Sequence, residues 1–539
     1  MTMPSRSSDS PKDQAVTVPR TVASLIRATA TAHPDAPAVA GDGRPVTHRE
    51  LHERSSALAT ALLAAGLVPG DRVAYLGRNA TEYWELFFAA AKTGLVVVPL
   101  NFRLAPAEVE WILQDALPAA LVVEEYLVPL VPPGLVGDLG GRTLVFRQGG
   151  NPDTWLGWSS FDEVVGAHPA QDPHRDAGGD DLLCLMYSSG TTGRPKGVSI
   201  SAGGLLWAID TFGAQFDVSP ASVSLVPTPY YHITAGGWAL IALTAGGRIV
   251  QFTEASPDRM HTLLVRHRAT HVIMVPTLIQ YFISSPAASQ TDYSSVEWLL
   301  YGGSPISESV MVRAQELFGA RLAQGYGLTE TTGVATILGP EDHTTEWAGR
   351  LRSAGRPVPG VDIEIRQVLT GDVCPPGTHG EVVARGPGVT RGYWNLPQDT
   401  ADAYLPGGWF RTGDAGYLDA DGYLFLQDRL KDVIVSGGEN IYPAEVENAI
   451  MSHPDVLEAA VIGIPSERWG ETPYAIVVPR HGCVVEPADV VAHTRAHLAH
   501  YKCPSAVQVV DALPRNPSGK ILKRELRHPF WAGRDRTIS

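Results

Sequence analysis

Cysteine is scarce in this chain, with four residues among 539. They stand far apart and form no Cys-x-x-Cys pair: Cys184, Cys374, Cys483 and Cys503. Disulfide scaffolds and zinc sites need paired or clustered cysteines, so this scatter argues against both. Scattered cysteines fit a reducing compartment, and we therefore expect a cytoplasmic protein.

Long hydrophobic runs are also lacking. The best candidate for a membrane span, Leu86 to Leu100, is interrupted by Lys92, Gly94 and Pro99 and is too short to cross a bilayer. The first segment, residues 1–16, is polar and rich in Ser, Asp and Pro, and it lacks the apolar core of a signal peptide. We expect no membrane span, and we interpret residues 1–16 as a disordered tail.

Positive charge is the scarcer sign, because 42 Lys and Arg stand against 57 Asp and Glu, a net charge of −15. An acidic chain is a poor binder of nucleic acid, so we expect no such partner. An anionic substrate would have to be met by local positive charge. The 44% hydrophobic content is that of a globular protein, and 539 residues are enough for two or more cores.

Apolar runs alternate with helical patterns through the first part of the chain. Arg72 to Leu76 predicts a strand, and Asn79 with Glu82 predicts the start of the following helix. Such alternation predicts a mostly parallel sheet with covered faces. From Val361 the pattern changes to strands separated by Gly, Pro and Asp turns, which predicts hairpins. Short α+β units then return, and we predict a domain boundary at residues 430–431.

The most informative stretch is Tyr187 to Val198, with the sequence YSSGTTGRPKGV, directly after the apolar run Leu182 to Met186. Its glycines let backbone N–H groups turn inward, its hydroxyls add donors, and its lysine adds a positive charge, which together suit a polyphosphate. Pro195 and Gly197 occupy positions where a Walker A loop has Gly and Ser or Thr. A solvated linker is the alternative interpretation. The candidate anion-binding residues are Ser188, Ser189, Gly190, Thr191, Thr192, Gly193 and Lys196.

This loop resembles the phosphate-binding loop of the adenylate-forming superfamily, which includes acyl- and aryl-CoA synthetases, peptide-synthetase adenylation domains and firefly luciferase. Six motifs occur in the family's order between Val18 and Leu526. The resemblance implies an α/β fold with a large N-terminal domain, residues 17–430, that has parallel sheets covered by helices and a small β-rich subdomain. A small mobile α+β domain, residues 431–539, would carry the catalytic lysine.

Two further glycine-rich motifs, LLYGGSP and QGYGLTE, end predicted strands, where open α/β sheets place ligands. The resemblance implies that Thr329 contacts the α-phosphate of ATP and that Glu330 holds Mg²⁺, a cation that suits carboxylate oxygens. Asp414 would bind the ribose, and Arg429 the ribose and phosphate. Glycine turns and a surface carboxylate are the plainer interpretation of each segment alone. The implied walls of the nucleotide site are Gly302, Gly303, Ser304, Pro305, Gly325, Tyr326 and Gly327.

The C-terminal motifs imply a domain that moves between two half-reactions. Lys431 corresponds to the family's hinge. Lys520 corresponds to the lysine that bridges the substrate carboxylate and the α-phosphate. A plain glycine turn and a solvent-facing lysine are the alternatives. The SGGEN segment would line the channel for the CoA thiol with Ser436, Gly437, Gly438, Glu439 and Asn440.

The resemblance also implies a pocket for the acid. His232 matches an aromatic or His position of that pocket, with a gating role or simple packing as alternatives. Trp238 predicts a short or flat pocket, because many relatives carry a small side chain there. The implied pocket comprises His232, Thr234, Trp238, Leu300, Gly303, Gly327, Gly333 and Val334.

The implied activity is an ATP-dependent acid:CoA ligase that uses ATP, Mg²⁺ and CoA and forms an acyl-adenylate with Lys520, Glu330, Thr329 and His232 as its catalytic set. Three alternatives stay open: a carrier-protein thiol as acceptor, an unusual acid or another nucleophile, and a nucleotide-binding regulator without turnover. Its partners would be small molecules, with a homodimer possible.

Overall fold

The structure is a computed structural model that describes residues 20–146, 157–188, 195–304, 306, 308–343, 350–368, 370–436, 439–515 and 521–532. The first region contains α1 Val22–Ala32, β1 Pro37–Gly41, β2 Val46–Thr47, α2 His48–Ala64, β3 Arg72–Leu76, α3 Thr81–Thr93, β4 Val96–Leu100, α4 Pro106–Ala116, β5 Ala120–Glu124, α5 Pro133–Leu139, β6 Thr143–Phe146, β7 Ser159–Ser160, α6 Phe161–Ala167, β8 Leu182–Ser188 and β9 Lys196–Ser201. The second contains α7 Ala202–Gln215, β10 Val223–Val226, α8 Ile233–Thr244, β11 Arg248–Gln251, α9 Pro257–His267, β12 His271–Met274, α10 Pro276–Ser284, β13 Trp298–Gly302, α11 Glu308–Phe318, β14 Arg321–Tyr326, β15 Thr336–Leu338 and β16 Arg356–Pro357.

These elements form two sheets in layers. Within the described residues, one sheet has the strand order β7-β6-β5-β3-β4-β8-β9 and the other β16-β15-β14-β13-β12-β10-β11-β1-β2. The central strand pairs of both sheets are parallel, as the alternating pattern predicts. The main core lies between the sheets and includes α1, α2, α3, α7 and α8, while α9 to α11 and α4 to α5 cover the outer faces. This arrangement brings the carboxyl ends of β8, β13 and β14 to ligand-binding positions.

The remaining chain forms a β-rich subdomain and a smaller α+β unit, which confirms the expected fold. The subdomain contains β17 Asp362–Arg366, β18 Gly380–Arg385, α12 Pro397–Asp402, β19 Tyr404–Leu405, β20 Trp409–Leu418 and β21 Leu424–Arg429. The last unit contains β22 Ile434–Ser436, β23 Glu439–Ile441, α13 Pro443–Met451, β24 Val456–Ser466, β25 Gly470–Pro479, α14 Pro487–His497, β26 Ala506–Val509 and α15 Lys523–Trp531. A 3-10 turn at Leu430–Asp432 joins them, and the domain boundary at residues 430–431 stays a prediction. No helix in the described part of the chain is long and apolar enough to span a membrane.

The predicted role of Asn79 in starting a helix is wrong. Helix α3 begins after Ala80, which provides no side-chain cap. The Asn79 amide instead reaches a distant loop, where its Nδ2 donates to the Thr228 carbonyl at 2.9 Å and its Oδ1 accepts from the Tyr230 N–H at 2.9 Å. A capping pattern cannot distinguish these uses, because the same amide serves either a helix end or a loop.

Lys92 on α3 is fully buried, which is unusual for a lysine. Its ammonium donates to the Ser55 hydroxyl at 2.7 Å, the Ser56 hydroxyl at 2.8 Å and the His52 carbonyl at 2.8 Å. Burial lowers the pKa of Lys92 to about 7, although Asp172 acts in the opposite direction. The interface of α2 and α3 therefore contains a group that releases its proton much more readily in the folded chain.

Lys92→Met should change how stability depends on pH. Between pH 7 and the ordinary lysine pKa of 10.5, the unfolded chain binds more protons at this position than the folded chain does. The stability that Lys92 contributes should therefore rise with pH, by at most about 1.4 kcal/mol per pH unit. Melting temperatures of both proteins between pH 7 and 9.5 would test this. If the melting temperatures of the wild type and the variant change with pH in parallel, the buried position of the Lys92 ammonium would be contradicted.

Candidate active site

The ends of the phosphate-loop candidate are held together by the sheet. Ser188 at the end of β8 pairs in antiparallel register with Lys196 at the start of β9. The Ser188 hydroxyl donates to Oε1 of Glu330 at 3.4 Å. Ser189, Gly190, Thr191, Thr192 and Gly193 lie outside the described residues. The two described ends thus bring a hydroxyl, a lysine and the predicted metal ligand into one region.

The lysine of this loop has two partners that the sequence interpretation missed. The Lys196 ammonium forms an ion pair with Asp399. It also lies 5.0 Å from the centre of the Tyr393 ring, within the range of a cation–π contact. The only sequence signal was the charge of Asp399, which does not reveal a contact across 203 positions. A ligand phosphate near Lys196 would therefore compete with a carboxylate.

The predicted nucleotide wall is built from close backbone contacts. A side chain at Gly302 would overlap the carbonyl oxygen of Gly325 on the neighbouring strand. Gly303 has a φ of +82°, a conformation that glycine adopts readily. The Tyr326 hydroxyl donates to Oδ2 of Asp414 at 2.7 Å. The structure thus brings together the residues predicted for base and ribose binding, and Asp414 itself is buried.

The structure describes three other residues of the predicted nucleotide site to different extents. Arg429 pairs with Asp414 across β20 and β21, but only its backbone is described. Ser304 lines an open cleft whose walls also include Ser188, Tyr326 and Glu330. Pro305 lies outside the described residues.

Glu330 lies at the centre of a 3-10 turn, Thr329–Thr331. Its carbonyl oxygen accepts from the Thr390 N–H at 2.7 Å, and its Oε1 accepts from the Tyr393 hydroxyl at 3.2 Å. Burial, with the Glu330 carboxylate, raises the pKa of Tyr393. The phenol therefore stays protonated and can donate throughout the ordinary pH range.

The predicted acid-pocket residues separate into two groups. Trp238 packs against Phe216 and His271 with ring centres 5.6 and 5.9 Å apart, and it belongs to the main core with Leu300, against which Val334 packs. Helix α8 is apolar around nearly all of its surface, so its sequence does not show which face meets a ligand. The open cleft is lined by the other group: His232, Thr234, Gly303, Gly327 and Gly333.

His232 lies at the start of α8 and stacks at a tilt on Tyr231, with ring centres 4.4 Å apart. Its backbone is held in a turn, because its N–H donates to the Pro229 carbonyl at 3.1 Å. The two hydrogen bonds of Asn79 hold the same loop. Asn79 is therefore a residue that the sequence interpretation did not connect with this wall.

Less of the predicted C-terminal site is described. Lys431 lies in the 3-10 turn between the two units, and Ser436 pairs with Glu439 across β22 and β23. For Lys431, Glu439 and Asn440 the backbone alone is described. Gly437, Gly438 and Lys520 lie outside the described residues.

Comparisons with known proteins find relatives along nearly the whole chain. The AMP-binding enzyme family model matches residues 26–394, and the model of the AMP-binding enzyme C-terminal domain matches residues 445–520. The chain is 38% identical to feruloyl-CoA synthase of Amycolatopsis sp, over 92% of this chain and 96% of that protein. It is 37% identical to the fatty acid–acyl-carrier-protein ligase ScoC of Streptomyces coeruleorubidus, over 94% and 96%. The ATP-bound structure of MatB from Rhodopseudomonas palustris superimposes with a TM-score of 0.85 at 29% identity, over 94% of this chain and 99% of that one.

Gly327→Ala should destabilise the wall of the cleft, because its new Cβ would overlap the Gly333 carbonyl oxygen. Overpacking of this kind costs about 1–3 kcal/mol, so the melting temperature should fall. Gly166→Ala is the matched control, since nothing lies within 4 Å of that added Cβ. Equal melting temperatures for the two variants would contradict the close contact.

Proposed function

Because this chain belongs to the AMP-binding enzyme family, we propose that it is an ATP-dependent acid:CoA ligase of the AMP-forming kind. In the first half-reaction a carboxylate oxygen attacks the α-phosphorus of ATP, and the bond to the β-phosphate breaks, releasing pyrophosphate. In the second, the CoA thiol gives up its proton to solvent, its sulfur attacks the carbonyl carbon of the acyl-adenylate, and the carbon–oxygen bond breaks, releasing AMP. The carboxylate is already ionised at neutral pH, so the first step needs no general base.

The observation that carries this proposal is the convergence of Ser188, Lys196 and Glu330 near the carboxyl ends of the strands. We propose that Ser188, Lys196 and the loop between them bind the phosphates, and that Thr329 contacts the α-phosphate. Tyr326 and Asp414, already hydrogen-bonded at 2.7 Å, would bind adenine and ribose. Catalysis of this kind depends on positioning and charge stabilisation rather than on a protein nucleophile.

Mg²⁺ fits the residues present. In the described part of the chain no group of three or more His, Cys, Asp or Glu side chains could hold a metal ion. Magnesium usually binds through one or two carboxylates together with substrate phosphates, so Glu330 alone is a suitable protein ligand. Bound there, Mg²⁺ would neutralise phosphate charge.

A homodimer and a cytoplasmic location stay predictions.

The carrier-protein thiol is the second candidate acceptor, and the similarity to ScoC favours it. The SGGEN segment and the similarity to feruloyl-CoA synthase favour CoA. A nucleotide-binding regulator without turnover is the remaining alternative. The chain has both Glu330 and Lys520 at the positions of the family motifs, which argues against a regulator, because nucleotide binding alone needs neither group.

Pyrophosphate release with a panel of acids, with and without CoA, tests the proposal. We expect at least one aryl or fatty acid to trigger release and a stoichiometric loss of free CoA thiol. Release without thiol loss, followed by acylation of an added phosphopantetheinyl carrier protein, would assign the carrier as acceptor. No release with any acid would contradict the ligase assignment.

Lys520→Ala should separate the half-reactions. Loss of one preorganised charge stabiliser lowers the rate by roughly 10²–10³, so pyrophosphate release should fall by that factor. Thioester formation from a supplied acyl-adenylate should persist, because attack on phosphorus is then complete. Lys502→Ala is a matched control, because that lysine forms an ion pair with Glu445 at 2.7 Å in the same unit. Equal losses in both half-reactions would contradict the assigned role.

Lys431→Pro should have the opposite effect. Proline restricts φ to about −65° and should impede rotation of the small domain at its hinge. We expect adenylate formation to persist and thioester formation to collapse, as measured by quenched single-turnover assays. An unchanged rate of CoA transfer would contradict a hinge at this position.

A further inference from the structure

A segment outside every motif named above runs along the phosphate site. This strap, defined as residues 390–399, pairs with the outer side of β9 through a bridge between Tyr393 and Val198. The Trp394 N–H donates to the Gly197 carbonyl at 2.7 Å. The Ser199 N–H donates to the Gly392 carbonyl at 3.1 Å. The backbone that follows the phosphate loop is therefore fixed to the strap.

The strap is also fixed to the turn that contains Glu330. The Thr390 N–H donates to the Glu330 carbonyl at 2.7 Å, and the Thr390 hydroxyl donates to the Ser199 carbonyl at 2.6 Å. Farther along, the Trp394 indole N–H donates to the Asp115 carbonyl at 3.1 Å. The Tyr187 hydroxyl donates to Oδ2 of the same aspartate at 2.5 Å. The strap thus has a defined position relative to both sides of the site.

Tyr393 is the strap residue whose side chain contacts both charged groups. Its hydroxyl donates to Oε1 of Glu330 at 3.2 Å, and its ring centre lies 5.0 Å from the Lys196 ammonium. Ser188 donates to the same Oε1. Within the described residues both bonds end on this one oxygen, so Oε2 is the oxygen available to a metal ion.

We propose that Tyr393 is a positioning residue for adenylation. Its hydroxyl orients the Glu330 carboxylate toward the metal, while its ring holds the Lys196 ammonium, so one side chain sets the separation of the two charges. This inference rests on the proposed function, and it concerns the same phosphate site.

Two substitutions separate the two contacts. Tyr393→Phe keeps the ring beside Lys196 and removes the hydroxyl donor to Glu330. Tyr393→Leu removes both contacts. We expect Tyr393→Phe to weaken Mn²⁺-dependent binding of a non-hydrolysable ATP analogue about 3- to 10-fold, the range of one ordinary hydrogen bond. Calorimetry with and without Mn²⁺ measures this without any turnover, and metal-free binding should stay at the wild-type level.

Tyr393→Leu should weaken metal-free binding as well, because Lys196 loses its cation–π partner. A rise in the ATP KM beyond that of Tyr393→Phe should accompany this change. Tyr423→Phe is the matched control, since it removes another tyrosine–carboxylate hydrogen bond, 2.8 Å to Asp342, away from the site. The control should bind the Mn²⁺ complex as the wild type does.

Glu330→Gln distinguishes failure of the inference from failure of the metal assignment. Weaker Mn²⁺-dependent binding in Glu330→Gln, with wild-type binding in Tyr393→Phe, would overturn the role of Tyr393 alone. Unchanged Mn²⁺ dependence in Glu330→Gln would overturn that role together with the proposed metal ligand. If Tyr393→Phe and Tyr423→Phe weaken Mn²⁺-dependent binding equally, the hydrogen bond from Tyr393 to Glu330 contributes only to general stability. That result would overturn the proposal.

Discussion

The Glu330 carboxylate is held by hydroxyl groups from two sides, and the arrangement of the candidate site depends on that convergence. Ser188 comes from the end of β8 and Tyr393 from the strap beside β9. The carbonyl of Glu330 is fixed as well, by the Thr390 N–H at 2.7 Å. A carboxylate fixed at its backbone and at one oxygen has little freedom to reorient, which is the condition for a preorganised electrostatic site.

The negative net charge of the chain explains why phosphate binding would depend on a few positive groups at the site. The chain carries a net charge of −15, so its overall field does not attract polyphosphates. The attraction must come from individual cations and inward N–H groups. Lys196 meets this need while remaining paired with Asp399 and adjacent to the Tyr393 ring. The ion pair with Asp399 compensates the charge of the partly buried Lys196 ammonium. This charge is therefore not left unpaired when no phosphate is bound.

Local patterns in the sequence predicted the sheets and the glycine-rich strand ends. Period and turn chemistry depend on neighbouring residues, so the sequence pattern was enough to predict the alternating strands and helices. The close approach of Gly302 to the carbonyl oxygen of Gly325 was not predicted, because it depends on which strand lies beside β13. The Tyr393–Glu330 contact spans 63 positions and Lys196–Asp399 spans 203, and no local pattern encodes either. No sequence pattern indicated that Trp238 packs in the core either, because α8 is apolar on nearly every side.

In the proposed adenylation, a carboxylate oxygen becomes bonded to the α-phosphorus of ATP and leaves with AMP. A single turnover with an acid labelled with ¹⁸O in its carboxyl group, in the presence of ATP and CoA, tests this directly by mass spectrometry of the products. We predict that AMP carries one ¹⁸O and that pyrophosphate carries none. Label in inorganic phosphate or pyrophosphate, or AMP without label, would contradict it.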